Sequence, residues 1–309
     1  MERLYDRLRE KPDLYWAFRD TEHRVRMILQ TEKEAPLENH GISHIERVLE
    51  YVEQIYNSYF RQHMSLNVYE CYVLLSAIYI HDMGFFLHNK EAVTDFCKWR
   101  KMETVEVNED EFYRKYHPWI AAYWVKKNID GDLSWPLIFE GDWVIGSSII
   151  EVVVSHGIDF WKFPEYQKQC DGSDMNIRIG YLSYLLCLGD ALDCDRRRNQ
   201  DTIVGSMLTG SVEKRIFFRF HEYVNLITFD ENMITIYMSI PVVAEEKKKI
   251  FTTFYLKKQM KWMECLMEVG NRLFPDTGHV LTLRLCVSEC ADQAEPAEEE
   301  YSHIEKYLI

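Results

Sequence analysis

Apolar residues recur at helical spacing through the first two thirds of the chain. Tyr15, Phe18, Val25, Ile28 and Leu29 mark one face of an early amphipathic helix that Ala35-Pro36 ends. Val48, Leu49, Val52, Ile55 and Tyr59 mark another, and Ser43-His44-Ile45-Glu46 ahead of them has the S-x-x-E form of a capping box. A more buried helix is predicted over residues 68–83, stopping at Gly84. Further helices are predicted over 89–100, 109–128, 142–156 and 176–197. The stretch "SIIEVVVSHG" is rich in β-branched residues, and helix is preferred there because its neighbours are helical.

The pattern changes near residue 212. "KRIFFRFHEYVNLITFDENMITIYMSI" alternates, and Asp230-Glu231-Asn232 lies between two β-prone runs, which reads as a hairpin. Residues 243–273 return to helix, and "HVLTLRLCV" (279–287) reads as a further strand. The expected fold is mainly α, a helical bundle with a small C-terminal α+β unit. Residues 1–35 are an N-terminal helical extension, 36–210 the main helical domain, 211–290 the α+β accessory unit and 291–309 an acidic tail or linker. Phe217, Phe218, Phe220, Tyr223 and Phe229 read as core of the accessory unit rather than as a binding surface.

Composition narrows the function classes. With 309 residues, 47% of them hydrophobic, the chain can bury one substantial core and a smaller appended one. A net charge of −14 argues against broad nucleic-acid binding, which depends on Lys and Arg at phosphates, but leaves room for a small phosphorylated ligand in a local pocket. No apolar stretch reaches the roughly 20 residues a membrane span requires, and "MERLYDRLRE" is no signal peptide. Eight cysteines without a CxxC pair suggest reduced thiols and a cytoplasmic setting.

The run from Cys71 to Ile80 ends abruptly in His81-Asp82. A buried, unpaired carboxylate is costly, and a helix C-terminus disfavours negative charge. A bound cation answers both problems; an Arg partner, or exposure at the Gly84 turn, answers them otherwise. Asp190 repeats the anomaly on the stripe of Ile179, Leu182 and Leu186. His156 ends an apolar segment before Gly157, His44 lies in the first turn of its helix, and His117 precedes Pro118, a pairing suited to a helix start. Taken singly each is more at home as a cap or surface residue. Together, imidazoles and carboxylates in one helical body are ligand types for first-row transition ions.

These words resemble a known family. His44 in "HGISHIERV", His81-Asp82 in "AIYIHDMG" and Asp190 in "LLCLGDALDCDRR" are similar to the H…HD…D signature of the HD-domain metal-dependent phosphohydrolases. His117 and His156 resemble the extra pair of the binuclear branch, as in HD-GYP phosphodiesterases, and the arrangement as a whole most resembles the HD-CE type. The likeness spans residues 36–198. It implies an HD-domain bundle in which His44, His81, Asp82 and Asp190 hold one divalent ion, with Asp82 bridging to a second held by His117 and His156. Manganese, iron, nickel or magnesium suits such N/O ligands, with zinc also open. The implied reaction is hydrolysis of a nucleotide or related small phosphoester by a metal-activated hydroxide, with Asp82 as the catalytic ligand.

The chain also departs from the family pattern. It has no GYP word, and where many HD phosphodiesterases carry a Lys after the doublet it has Met83-Gly84-Phe85. His88, His40 and Arg197 are the candidates for substrate contact. Arg197 is preferred because it falls seven residues after Asp190, although an ion pair with Asp193 or another acid would also account for it. Two other readings stand beside the hydrolase. One is a single-strand nuclease, disfavoured by the charge. The other is a nucleotide-sensing module acting on a protein partner, motivated by the chaperone-like ATPase domains joined to some HD-CE members. An ATPase-type partner domain or a homo-oligomer is accordingly expected, and no membrane.

Overall fold

The computed structural model describes residues 2–31, 40–86, 90–102, 109–132, 143–158, 176–199, 212–230, 232–255, 260–273 and 281–306. The chain divides into two units, one of Met1–Asn57 and Met64–Gly189, the other of Ser58–His63 and Asp190–Ile309. The division after Gly189 falls earlier than the composition change near residue 211. The fold is mainly α with a small α+β unit.

The first unit is helical: α1 (Leu4–Leu8), α2 (Pro12–Thr31), α3 (Ile42–Ile55), α4 (Val68–Ile80), α5 (Lys90–Trp99), α6 (Glu109–Ile129), α7 (Trp143–Ser155) and α8 (Ile179–Leu192), whose last turn runs past the division. At its centre is α4, in which every side chain from Glu70 to Ile80 is buried. Helices α1, α2, α3 and α7 pack on it. Such all-round burial is why α4 shows no amphipathic stripe.

Its start is set by a capping box. The Asn67 side chain accepts the Glu70 N–H at 2.9 Å, and Glu70 Oε2 accepts the Asn67 N–H at 2.9 Å. Glu70 also receives Arg178, Nε to Oε1 and Nη2 to Oε2, each at 2.7 Å. One buried carboxylate thus ties the start of α8 to the start of α4.

Several local expectations change. The capping box at Ser43–Glu46 does not form: the N-cap of α3 is Gly41, which lacks a capping side chain, and Glu46 instead accepts Arg26 at 2.8 Å. Helix α4 stops at Ile80 rather than 83, and a 3-10 turn, Met83–Phe86, follows. Pro118 lies inside α6, not at a helix start. The β-branched "SIIEVVVS" is helical, as preferred. The expected end of α2 at Ala35-Pro36 lies outside the described residues.

The second unit carries α9 (Val212–Tyr223), β1 (Val224–Asp230), β2 (Met233–Pro241), α10 (Glu245–Tyr255), α11 (Lys261–Leu273), β3 (Thr282–Cys290) and α12 (Glu298–Lys306). Strand β2 is central, antiparallel to β1 and parallel to β3. Ile234, Ile236, Met238 and Ile240 alternate into the core. The hairpin therefore holds, but its expected first part, "KRIFFRFHEY", belongs to helix α9, with Ile216, Phe220 and Tyr223 buried at spacings of four and three. The expected acidic tail contains α12, with Glu300, Tyr301 and Ile304 buried. Its acids lie mostly on the solvated face, and Glu300 is met by Arg219 Nε at 2.7 Å and Arg215 Nε at 3.4 Å. Among the described residues no helix is long and apolar enough to cross a membrane. The described cysteines are all free thiols.

Candidate metal centre

Three of the key imidazoles are aimed by their own helices. His81 follows α4, and its Nδ1–H donates to Ile78 O at 2.8 Å. His156 follows α7, and its Nδ1–H donates to Val153 O at 2.6 Å. Within α6, Pro118 has no N–H to give the Arg114 carbonyl four residues back. The Nδ1–H of His117 meets that carbonyl instead, at 3.1 Å, sharing it with Tyr113 O at 3.1 Å. A carbonyl can only accept, so each Nδ1 carries the hydrogen, and in the neutral ring each Nε2 is left with a lone pair.

Those Nε2 atoms converge on Asp82, which is 4% exposed. Its Oδ2 lies 2.7 Å from His40 Nδ1, 3.1 Å from His44 Nε2 and 3.3 Å from His81 Nε2. Its Oδ1 faces the other way, 3.3 Å from His117 Nε2 and 3.6 Å from His156 Nε2. His117 Nε2 and His156 Nε2 are themselves 3.1 Å apart. His44, His81 and Asp190 form a further group whose ligand atoms lie within 4.8 Å of one another, as do His40, His44 and Asp82, and Asp82, His117 and His156. Each of these three overlapping groups offers donor atoms of the kind a metal ion takes.

The electrostatics suit a cation. Burial pushes the Asp82 carboxyl up, but the imidazoles of His81 and His40, then those of His117 and His156, bring it well below the usual carboxylate range. Burial pushes the His117 imidazole down by more than the Asp82 charge raises it, so the ring favours its neutral form. A neutral His117 places a lone pair against Asp82 Oδ1, two acceptors without a hydrogen between them. A divalent ion resolves that repulsion, and neutral imidazoles with a carboxylate are the donors such ions take.

The structure thus brings His44, His81, Asp82, His117, His156 and Asp190 together, and adds His40 in direct contact with Asp82. Arg197 is different. Helix α8 ends at Leu192 and the chain passes through Asp193-Cys194 into a 3-10 turn, Arg196–Asn199, so a seven-residue helical spacing from Asp190 does not exist. Its Nε is held by Asp195 Oδ2 at 2.9 Å, the ion-pair alternative. His88 lies outside the described residues. The role of Phe85 escaped the sequence reading: its ring stacks on His117 at 4.0 Å and on His40 at 4.4 Å. Hydrophobicity alone marks Phe85 as core, and nothing local in the sequence names its two partners.

Two glycines let the turns approach α6. A Cβ on Gly84 would lie 2.0 Å from His117 O, and one on Gly157 would lie 2.7 Å from Pro118 Cγ. The carbonyl cannot swing aside, since it belongs to a helix. Gly84→Ala is therefore expected to displace His117, lowering stability by about 1–3 kcal/mol and weakening metal binding. A thermal melt of the metal-free protein and a metal titration check this; unchanged binding would contradict it.

No curated protein matches the chain. A family model described as HD-CE matches residues 17–266, which takes in most of the helical unit and continues through β1, β2 and α10 into the first half of α11. That span is well over half of the 309 residues, and the chain belongs to the HD-CE family.

Proposed function

We propose that this protein is a metal-dependent phosphohydrolase or phosphodiesterase acting on a nucleotide or a related small phosphoester. One observation carries the reading: the two oxygens of a single buried carboxylate, Asp82, face two separate sets of imidazole nitrogens. His44, His81, Asp82 and Asp190 would hold one divalent ion, and Asp82, His117 and His156 a second. When bound, such ions supply Lewis acidity toward phosphoryl oxygens and make hydroxide available near neutral pH.

The chain's own contribution is preorganisation. His81, His117 and His156 are locked by backbone carbonyls, so their lone pairs need no reorientation when an ion arrives. Asp82 is held ionised and buried, which excludes water from the carboxylate and keeps both oxygens available as ligands. His40, against Oδ2 and 15% exposed, would meet a phosphoester arriving from solvent. The −14 net charge favours a small substrate over a polymer.

The test is a screen of nucleotides and cyclic dinucleotides with manganese, iron, nickel, magnesium and zinc. At least one phosphoester is expected to be turned over in a metal-dependent way. Tight nucleotide binding without turnover by any metal would replace the hydrolase reading with the sensor module. Cleavage of single-stranded DNA that outpaces mononucleotide turnover would favour the nuclease.

A further inference from the structure

The word "MGFF" stands where many relatives of this kind would carry a Lys, and the hydrolase reading leaves it unused. It forms the 3-10 turn Met83–Phe86 directly after Asp82, and all four residues are buried. The turn packs on α6, and Gly84 brings its backbone against His117. Phe85 then inserts its ring between two imidazoles. Its planes lie 24° from His40 and 16° from His117, at centroid separations of 4.4 and 4.0 Å.

The two rings it touches belong to opposite sides of Asp82. His40 addresses Oδ2, the oxygen shared with His44 and His81; His117 addresses Oδ1, shared with His156. A flat ring stacked on both limits rotation of each imidazole about its own plane and fixes how far apart the two sides stand. An aliphatic side chain of similar volume could fill the space but could not impose parallel planes.

We infer that Phe85 is a positioning residue of the metal centre, aligning one histidine on each oxygen of Asp82 and so setting the affinity of the ion held by Asp82, His117 and His156. This rests on the reading of the site as a metal centre. Phe85 stacks on His117, a ligand of that ion, but on the other side it meets His40, which is not among the residues assigned to the first ion. The ion on His44, His81, Asp82 and Asp190 therefore depends less on Phe85.

The experiment is a manganese titration of the full chain, followed by EPR. The wild type is expected to bind two ions with an exchange-coupled signal. Phe85→Leu, or Phe85→Met where the Leu variant melts early without metal, is expected to weaken the second ion by about 10–100-fold. The coupled signal would give way to a mononuclear one while the metal-free thermal midpoint stays close to that of the wild type. Phe85→Tyr, which keeps the flat ring, is expected to restore both ions. Two tightly bound, coupled ions in a folded Leu or Met variant would overturn the inference and leave the metal-centre reading intact. A wild type that binds no manganese would overturn both.

Discussion

Asp82→Ala is expected to abolish metal-dependent turnover, by at least about a thousand-fold, since an ion's Lewis acidity is worth several kcal/mol and each 1.4 kcal/mol is tenfold. The expectation follows from the split of its oxygens between two sets of imidazoles, which makes it the residue shared by both proposed ions. Alanine leaves His117 Nε2 and His156 Nε2 3.1 Å apart with no anion to offset a bound cation's charge. The variant should nevertheless fold. The imidazoles more than offset the desolvation of Asp82, so its removal costs some stability, but the apolar core around α4 is untouched. Added metal should stabilise the wild type by roughly 2.7 kcal/mol at a hundred times its Kd, and the variant not at all. Thermal melts with and without metal check this. A metal-induced rise in Tm that survives in Asp82→Ala would remove Asp82 from the centre of the account.

The second large effect is on stability, at the starts of α4 and α8, the opposite helix ends from the site. Arg178→Met strands Glu70, which is 0% exposed and already committed to capping α4. Leaving a buried charge without its partner costs roughly 3 kcal/mol. With Tm moving about 2–4 °C per kcal/mol in a protein of this size, a drop on the order of 6–12 °C is expected. Glu70→Gln/Arg178→Met should recover part of the loss, because the uncompensated charge is gone. Denaturant unfolding of the single and double variants measures this directly. A single variant within about 0.5 kcal/mol of wild type would mean that the pair orders α4 and α8 without stabilising them.

The two residues of that pair are 108 positions apart, which explains why they were not legible in the sequence. Helical periodicity identifies elements and core stripes, as in α2 and α3, whereas α4 shows as a nearly continuous apolar run and α7 was read as helix from its neighbours. It fails where two periods compete. In "KRIFFRFHEY", Ile216, Phe220 and Tyr223 are spaced for a helix, yet the neighbouring aromatics mimic a strand, and tertiary burial settled the contest for α9. Helix-face arithmetic failed at Arg197 because it continued α8 beyond its true end at Leu192.

The candidate centre was legible to a different degree. His81, Asp82, His156 and Asp190 stand out because polar groups on or at the ends of apolar runs need a partner, and His44 and His117 join them through their helix positions and the resemblance to the HD-domain signature. Phe85, in an apolar turn, lacks that contrast, and His40, on a polar stretch, was legible as a candidate for substrate contact but not as a direct partner of Asp82. Their contact depends on the MGFF turn folding back against α6, which Gly84 permits. The tautomers were equally hidden, since the Pro118 gap at Arg114 O exists only once Pro118 is inside a helix.

Metal analysis of the purified full chain, paired with titration after chelation, tests the central claim most directly. The account predicts roughly one to two transition ions per chain, bound again on titration and lost in Asp82→Ala. A purified protein that contains no metal and binds none when manganese, iron, nickel, magnesium or zinc is added would contradict it.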